Sequence, residues 1–151
     1  MKPLTEGSTA TDFELPDQDG KPTSLSDLLL HGPVVLFFYP AAMTAGCTKE
    51  ACRFRDLTAE FAALGAQRVG ISADPVDRQA AFAEAHRLDY PLLSDRDGTV
   101  ATAYGVRRRL ITPVKRVTFV IDSDRTVRAV VASEWSMDVH ADEALRALRS
   151  A

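Results

Sequence analysis

Six consecutive apolar residues, Val34-Val35-Leu36-Phe37-Phe38-Tyr39, constrain the fold more than any other feature of the chain. A strand with one wet face alternates apolar and polar positions. An unbroken run of β-branched and aromatic residues belongs instead to a strand buried on both faces. Such a strand needs a layer of structure above and below it, which points to an α/β architecture. Pro40 ends the run because proline offers no N–H to a sheet ladder.

The flanking pattern extends this reading. Asp12-Phe13-Glu14-Leu15 alternates, and the turn-rich Pro16 to Pro22 follows it, so a short hairpin is expected at the edge of the fold. Ser26 is expected to cap a helical turn over Asp27–Leu30, which Gly32-Pro33 breaks. From residue 47 to about 64 a helical stripe runs through Cys47, Ala51, Phe54 and Phe61, with Leu57 and Leu64 beside it. Gln67–Ile71 reads as a second strand. Asp74 is expected to cap a helix with Pro75 in its first position, ending near Leu88. Pro91–Ser94 is a short extended piece, and Asp97 is expected to cap a helix reaching Tyr104. Arg116–Ile121 and Thr126–Val131 pair as a hairpin across the turn Asp122–Arg125, and a last helix covers His140–Leu148. Strand-helix-strand-helix followed by a hairpin and a helix is the order of a thioredoxin-like fold. Its central mixed sheet is flanked by helices on both faces, here with an N-terminal hairpin extension. With no repeat, linker or low-complexity segment, residues 1–151 are expected to form one domain.

Composition excludes several function classes. A formal charge of −3 argues against nucleic acid as the main partner. No apolar run approaches the roughly 20 residues that cross a bilayer, so no membrane partner is expected. Met1 to Glu6 lacks the apolar core of a signal peptide, which makes the cytoplasm the expected location. The two cysteines are too few for a secreted disulfide scaffold or a four-ligand zinc site. In a reducing compartment a close pair is more often catalytic or redox-active.

Cys47 falls in the first turn of the helix that follows the buried strand. Unpaired N–H groups and the positive end of the helix dipole favour a thiolate there, and the thiolate is the nucleophilic form. Cys52 follows five residues later. On an ideal helix five residues turn the chain about 500°, or about 140° net, and raise it about 7.5 Å. The two Cα atoms are then roughly 8.7 Å apart on nearly opposite faces. A disulfide needs less than about 7 Å, so the pair cannot bond while the helix is intact. Bonding requires the chain between Thr44 and Cys52 to unwind, and a first turn is the cheapest to open. The stripe turns Cys47 inward and Cys52 outward. Inert buried thiols remain the plain alternative.

The segment Phe38-Tyr39-Pro40-Ala41-Ala42-Met43-Thr44-Ala45-Gly46-Cys47-Thr48-Lys49-Glu50-Ala51-Cys52 resembles the active-site segment of the peroxiredoxins. Pro40, Thr44 and Cys47 match that family's core motif without a gap. The continuation Cys-Thr-x-Glu-Ala-Cys resembles the subgroup called PrxQ or bacterioferritin comigratory protein. Asp12–Lys21, Gly70–Asp74, Pro91–Asp95 and Arg116–Asp122 are similar to further segments of the family. Ala41-Ala42-Met43 and Ala45 depart from it, since polar residues and proline are usual at these places.

The resemblance implies a thiol-dependent peroxidase. Cys47 would attack a hydroperoxide and become a sulfenic acid, and Cys52 would resolve it. Thr44 and backbone N–H groups near Gly46 and Cys47 would bind peroxide oxygens. Arg116 would sit against the thiolate, held by Glu50, and Pro40 would shield the sulfur from water. Thioredoxin or a similar dithiol would reduce the product, with no cofactor and no metal, in a monomer or weak homodimer. A thioredoxin-like disulfide oxidoreductase is the rival, but such enzymes use Cys-x-x-Cys. Arg107-Arg108-Arg109 reads as solvated surface charge, Trp135 and Tyr39 as packing residues, and His31, His86 and His140 carry no assigned role.

Overall fold

A computed structural model describes residues 2–108 and 112–150. The elements are β1 (Glu14–Pro16), β2 (Pro22–Ser24), α1 (Leu25–Leu29), β3 (Val34–Phe38), α2 (Ala45–Asp56), α3 (Thr58–Ala63), β4 (Gln67–Ser72), α4 (Val76–His86), β5 (Leu92–Ser94), α5 (Thr99–Ala103), β6 (Val117–Ile121), β7 (Val127–Ala132) and α6 (Asp138–Arg149). The main sheet has the order β5-β4-β3-β6-β7, and β1 and β2 form a separate hairpin. β3 pairs in parallel with β4, and β4 with β5, whereas β6 lies antiparallel to both β3 and β7.

The apolar run becomes the central strand, with every residue of β3 buried. Successive side chains go to opposite faces and so feed two cores. Val35 and Phe37 join Phe54, Phe61, Phe82 and Leu145 beneath α2, α3, α4 and α6. Val34, Leu36 and Phe38 join Leu25, Val100, Tyr104 and Phe119 beneath α1 and α5. Phe37 stacks on Phe54 with ring centroids 4.3 Å apart, which locks the second half of α2 to the sheet. Gly70 gives the aromatic side chains room, since a Cβ there would meet both Leu92 and Phe37 at 2.9 Å. Among the described residues no helix is long and apolar enough to cross a membrane.

Several element boundaries differ from the sequence reading, most of them by one or two residues, and the helix starts are the most informative. Ser24, not Ser26, caps α1, its hydroxyl accepting from Asp27 N at 3.1 Å. The long helix begins at Ala45 and breaks at Leu57. The break follows from competition for carbonyls: Arg68 Nη1 donates to Phe54 O at 2.9 Å, and the Thr58 hydroxyl donates to Arg55 O at 2.6 Å. Pro75, not Asp74, is the cap position of α4. At α5 the cap position is Gly98, while the buried carboxylate of Asp95 accepts from Val100 N and Ala101 N.

Truncating Phe54 to alanine removes one face of the stack and leaves a cavity in the larger core. The expected cost is about 3–5 kcal/mol. Urea unfolding, with an unchanged slope and a lowered midpoint, checks it.

Candidate active site

Phe38, the last residue of β3, lies opposite Val117, the first of β6. Because the two strands run in opposite directions, the chain leaving β3 and the chain entering β6 meet at one end of the sheet. Residues 40–47 and Arg116 are thereby neighbours, although Cys47 and Arg116 stand 69 positions apart.

The loop out of β3 is held in an unusual shape. Met43 has φ of 69°, the left-handed region, which costs a non-glycine residue on the order of 1–3 kcal/mol. Asp74 supplies the opposing contacts. Its Oδ2 accepts from Ala42 N at 2.8 Å and from the Ser72 hydroxyl at 2.6 Å, and its Oδ1 pairs with Arg78 Nε at 3.3 Å. The Thr44 hydroxyl donates to Ala41 O at 2.8 Å and closes the loop. Thr44 occupies the cap position of α2, but its side chain makes no capping bond. The half-buried Pro40 sits at the loop's start.

Cys47 is buried in the first turn of α2, with 1% of its surface exposed. The first N–H groups of the helix have no partner within it and add positive potential there. Arg116 Nη2 lies 3.3 Å from Cys47 Sγ, and Arg116 Nη1 donates to Glu50 Oε1 at 2.6 Å. The guanidinium thus bridges sulfur and carboxylate with two of its fixed donors. Gly46 lies against both Arg116 and Met137, since a Cβ on it would stand 3.4 Å from Arg116 Nη2 and from Met137 Sδ, at van der Waals contact. Backbone placement of Arg116 comes from Glu134, whose Oε1 accepts from Arg116 N at 3.0 Å and pairs with Arg108 Nη2 at 2.8 Å. Glu50 is fully buried, and burial pushes its carboxyl up to about 8 against the pull of Arg116. Both cysteines are free thiols; Cys52, on the same intact helix, is half-buried. Such a site suits attack by a desolvated thiolate on an electrophile whose leaving oxygen becomes negative.

Residues 7–130 match the AhpC/TSA family model. The chain is a peroxiredoxin of that family. It is 65% identical to the peroxidoxin BcpB of Mycobacterium tuberculosis, whose crystal structure superposes with a TM-score of 0.94 over 97% of each chain. It is 43% identical to chloroplastic peroxiredoxin Q of Sedum lineare, over 97% of this chain and 79% of that one. The bacterioferritin comigratory protein of Xanthomonas campestris is 28% identical and superposes with a TM-score of 0.86 over 99% of this chain and 98% of that one. The thioredoxin-like fold and the thiol-dependent peroxidase activity follow from membership.

In this peroxiredoxin Cys47, Arg116 and Glu50 form one hydrogen-bonded line. Thr44 stands one turn before Cys47 with its hydroxyl proton engaged by Ala41, which leaves its oxygen lone pairs to accept. Two contributors escaped the sequence. Asp74 was expected to be a helix cap and instead anchors the active-site loop. His140 was given no role, yet it is fully buried, with Nδ1 3.5 Å from Glu50 Oε2. The spacing of α6 marks His140 as inward-facing, but nothing in the sequence says which element it faces. Trp135 is not a packing residue: it is 94% exposed, on the rim of the groove that includes Arg116. Tyr39 is buried, and its hydroxyl donates to Gln79. Of the arginine run, Arg108 pairs with Glu134, and Arg109 lies outside the described residues.

Two outcomes are expected. Lysine at position 116 keeps the charge but cannot fork between sulfur and carboxylate. Arg116→Lys should lower kcat/KM about ten- to a hundredfold, equivalent to about 1.5–3 kcal/mol, as stopped-flow peroxide reduction would measure. The second concerns pH. The native state holds a proton on Glu50 up to about 8, whereas the unfolded carboxyl releases it near 4.5. Over that window the native state binds more protons, so this contribution is full below the window and is lost as pH rises through it. Denaturation midpoints should show this loss in the parent and not in Glu50→Gln.

Proposed function

We propose that Cys47 is the sulfur that attacks peroxide and Cys52 the one that resolves the product. The observation that carries the reading is the 3.3 Å contact between Arg116 Nη2 and a buried Cys47 Sγ, five residues before a more exposed second thiol on one helix. The Cys47 thiolate attacks the distal oxygen of ROOH. The O–O bond breaks, Cys47 becomes a sulfenic acid, and RO⁻ takes a proton and leaves as ROH. Arg116 and the first N–H groups of α2 meet the charge that develops on the oxygens, the Thr44 oxygen accepts from the peroxide hydroxyl, Glu50 holds Arg116, and Pro40 limits water at the sulfur. The Cys52 thiol then attacks the sulfenic sulfur, water leaves, and the Cys47–Cys52 disulfide forms.

That last step requires α2 to open, and the helix is weak where it must. Gly46 lies in its first turn, at a cost of about 0.5–1 kcal/mol relative to alanine, and the side chain of Thr44 does not cap it. From Ala51 onward the helix is clamped. The Tyr90 hydroxyl donates to Ala51 O at 2.8 Å, Arg68 holds Phe54 O at 2.9 Å, and Phe54 stacks on Phe37. Unwinding therefore runs from Ala45 to about Cys52 and stops there.

Hydrogen peroxide and organic hydroperoxides are the proposed substrates. The related Xanthomonas campestris protein is described by its alkyl peroxide reduction activity. A thioredoxin-type dithiol is the proposed reductant, by exchange with the disulfide. The proposed setting is the cytoplasm, as a monomer or weak homodimer, without nucleic acid, membrane, metal or organic cofactor. The rival reading, a disulfide oxidoreductase without peroxidase activity, predicts insulin reduction with dithiothreitol and no consumption of peroxide.

The deciding experiment mixes reduced protein with one equivalent of hydrogen peroxide, quenches with an alkylating agent and records the intact mass. Loss of two hydrogens with no alkylation is expected, accompanied by reduced helical circular dichroism. Two alkylated thiols beside unconsumed peroxide would end the reading. Cys47→Ser should abolish turnover. Cys52→Ser should react once and stop as the sulfenic acid.

A further inference from the structure

Tyr39 and Ala42 are both buried and stand on either side of Pro40-Ala41. A chain of side-chain hydrogen bonds ties one to the other. The Tyr39 hydroxyl donates to Gln79 Oε1 on α4. Gln79 Nε2 donates at 2.9 Å to Ser72 Oγ, at the end of β4. The Ser72 hydroxyl donates to Asp74 Oδ2 at 2.6 Å, and the same oxygen accepts from Ala42 N at 2.8 Å. The side chains of Tyr39, Gln79, Ser72 and Asp74 thus close a ring with the backbone from Tyr39 to Ala42.

The direction of each bond is fixed. Leu93 O on β5 lies 2.9 Å from Gln79 Nε2, and a carbonyl oxygen only accepts. The amide nitrogen therefore faces Leu93 and Ser72, which leaves Oε1 for the Tyr39 hydroxyl. Ser72, receiving from Gln79, gives its one proton to Asp74. Every donor along the chain points toward the carboxylate, and Ala42 N meets that carboxylate from the other side.

Gln79 is fully buried, and a buried amide is costlier to place than an apolar side chain of its size. Once satisfied, it specifies one arrangement rather than several. What the ring specifies is the loop that follows the central strand. Ala42 precedes Met43, whose φ of 69° persists only where the surroundings over-determine it. The Thr44 hydroxyl in turn bonds Ala41 O, inside the ring. Loss of the ring frees Ala42 N, lets Met43 relax and moves Pro40 and Thr44 together. The contacts that hold Cys52 lie elsewhere, on Tyr90, Arg68 and Phe37.

We propose that Gln79, acting through Ser72 and Asp74, is a positioning residue for peroxide reduction: it fixes the loop Pro40–Thr44 at both ends, so that the Thr44 oxygen and Pro40 keep their places relative to the Cys47 sulfur. It serves the attack on peroxide and not the formation of the disulfide, because the loop precedes the part of α2 that opens.

This role rests on Cys47 being the attacking sulfur, but its first test needs no peroxide. Amide hydrogen exchange, read by NMR on the reduced protein, should show Ala42 N–H protected in the parent and exchanging about tenfold or more faster in Gln79→Met, with the amides of β3 unchanged. The second test uses the Cys52→Ser background, where Cys47 reacts alone. There Gln79→Met should lower the second-order rate with hydrogen peroxide about tenfold while changing alkylation of Cys47 by iodoacetamide no more than about twofold, since the alkylator needs no contact with the loop. Tyr39→Phe built into Gln79→Met should add no further loss, both lying on one chain. Asp74→Asn, which keeps an acceptor for Ala42 N, should retain more of the peroxide rate than Asp74→Ala. With Cys52 restored, the disulfide should form at the parent's rate. Unchanged exchange at Ala42 overturns the proposal, as does an unchanged peroxide rate, or an equal loss toward peroxide and iodoacetamide. A parent inert to peroxide overturns the reading of Cys47 and this role with it, whereas a reactive parent with an unaffected variant overturns this role alone. Should Gln79→Met not fold, Tyr39→Phe alone removes the first bond of the chain and is held to the same outcomes.

Discussion

The pairing of Phe38 with Val117 is the constraint on which the site depends. It closes an antiparallel register between the central strand and β6, and it fixes the exit of one strand against the entry of the other. A slip of one residue would turn Arg116 to the opposite face and break every contact it makes. Both strands are wholly buried, so the register is held by two cores rather than by the site itself. The catalytic end of the molecule therefore inherits its precision from packing some distance away.

On that rigid frame sits a helix of two unequal halves. Its first turns carry a glycine, lack a side-chain cap and follow a loop in the left-handed conformation at Met43. Its second half is tied by an aromatic stack, a tyrosine hydroxyl and a buried arginine. The difference suits the proposed cycle, in which the two sulfurs are apart for one step and bonded for the next. Local opening is inexpensive where few buried contacts are lost; the aromatic stack and the Arg68 contact of α2 lie beyond Cys52, whereas opening its first turns costs the contacts of Arg116 with Cys47 and Glu50.

Burial also sets the electrostatics. Arg116 is shared by sulfur and carboxylate in a region almost without water, where each interaction is strong and each uncompensated charge is costly. With one guanidinium between two acidic groups, burial raises the Glu50 carboxyl against the pull of Arg116. The anchor at Asp74 works by the same economy, one carboxylate satisfying the Ala42 N–H, the Ser72 hydroxyl and Arg78 at once.

Much of this was legible in the residues. The apolar run from Val34 to Tyr39, rich in β-branched and aromatic residues, reads as a doubly buried strand, and the positions of Cys47, Ala51, Phe54 and Phe61 define an inward stripe whatever packs against it. The spacing of the cysteines dictates that an intact helix keeps them apart, because that is a property of helix geometry alone. Ser26, Asp74 and Asp97 signal nearby turns, as short polar side chains do, without specifying which N–H they reach; Ser24, Pro75 and Gly98 hold the cap positions. The helix break at Leu57 depends on Arg68 and Thr58 taking carbonyls, and Arg68 belongs to another strand. His140 and Trp135 show the same limit from opposite sides, one drawn against Glu50 and the other left in solvent. Periodicity and chemistry along the chain determine which residues turn inward and which thiol stands at a helix start. Which inward residue meets which, at what distance and with what charge left over, is decided only when strands far apart in sequence come into register.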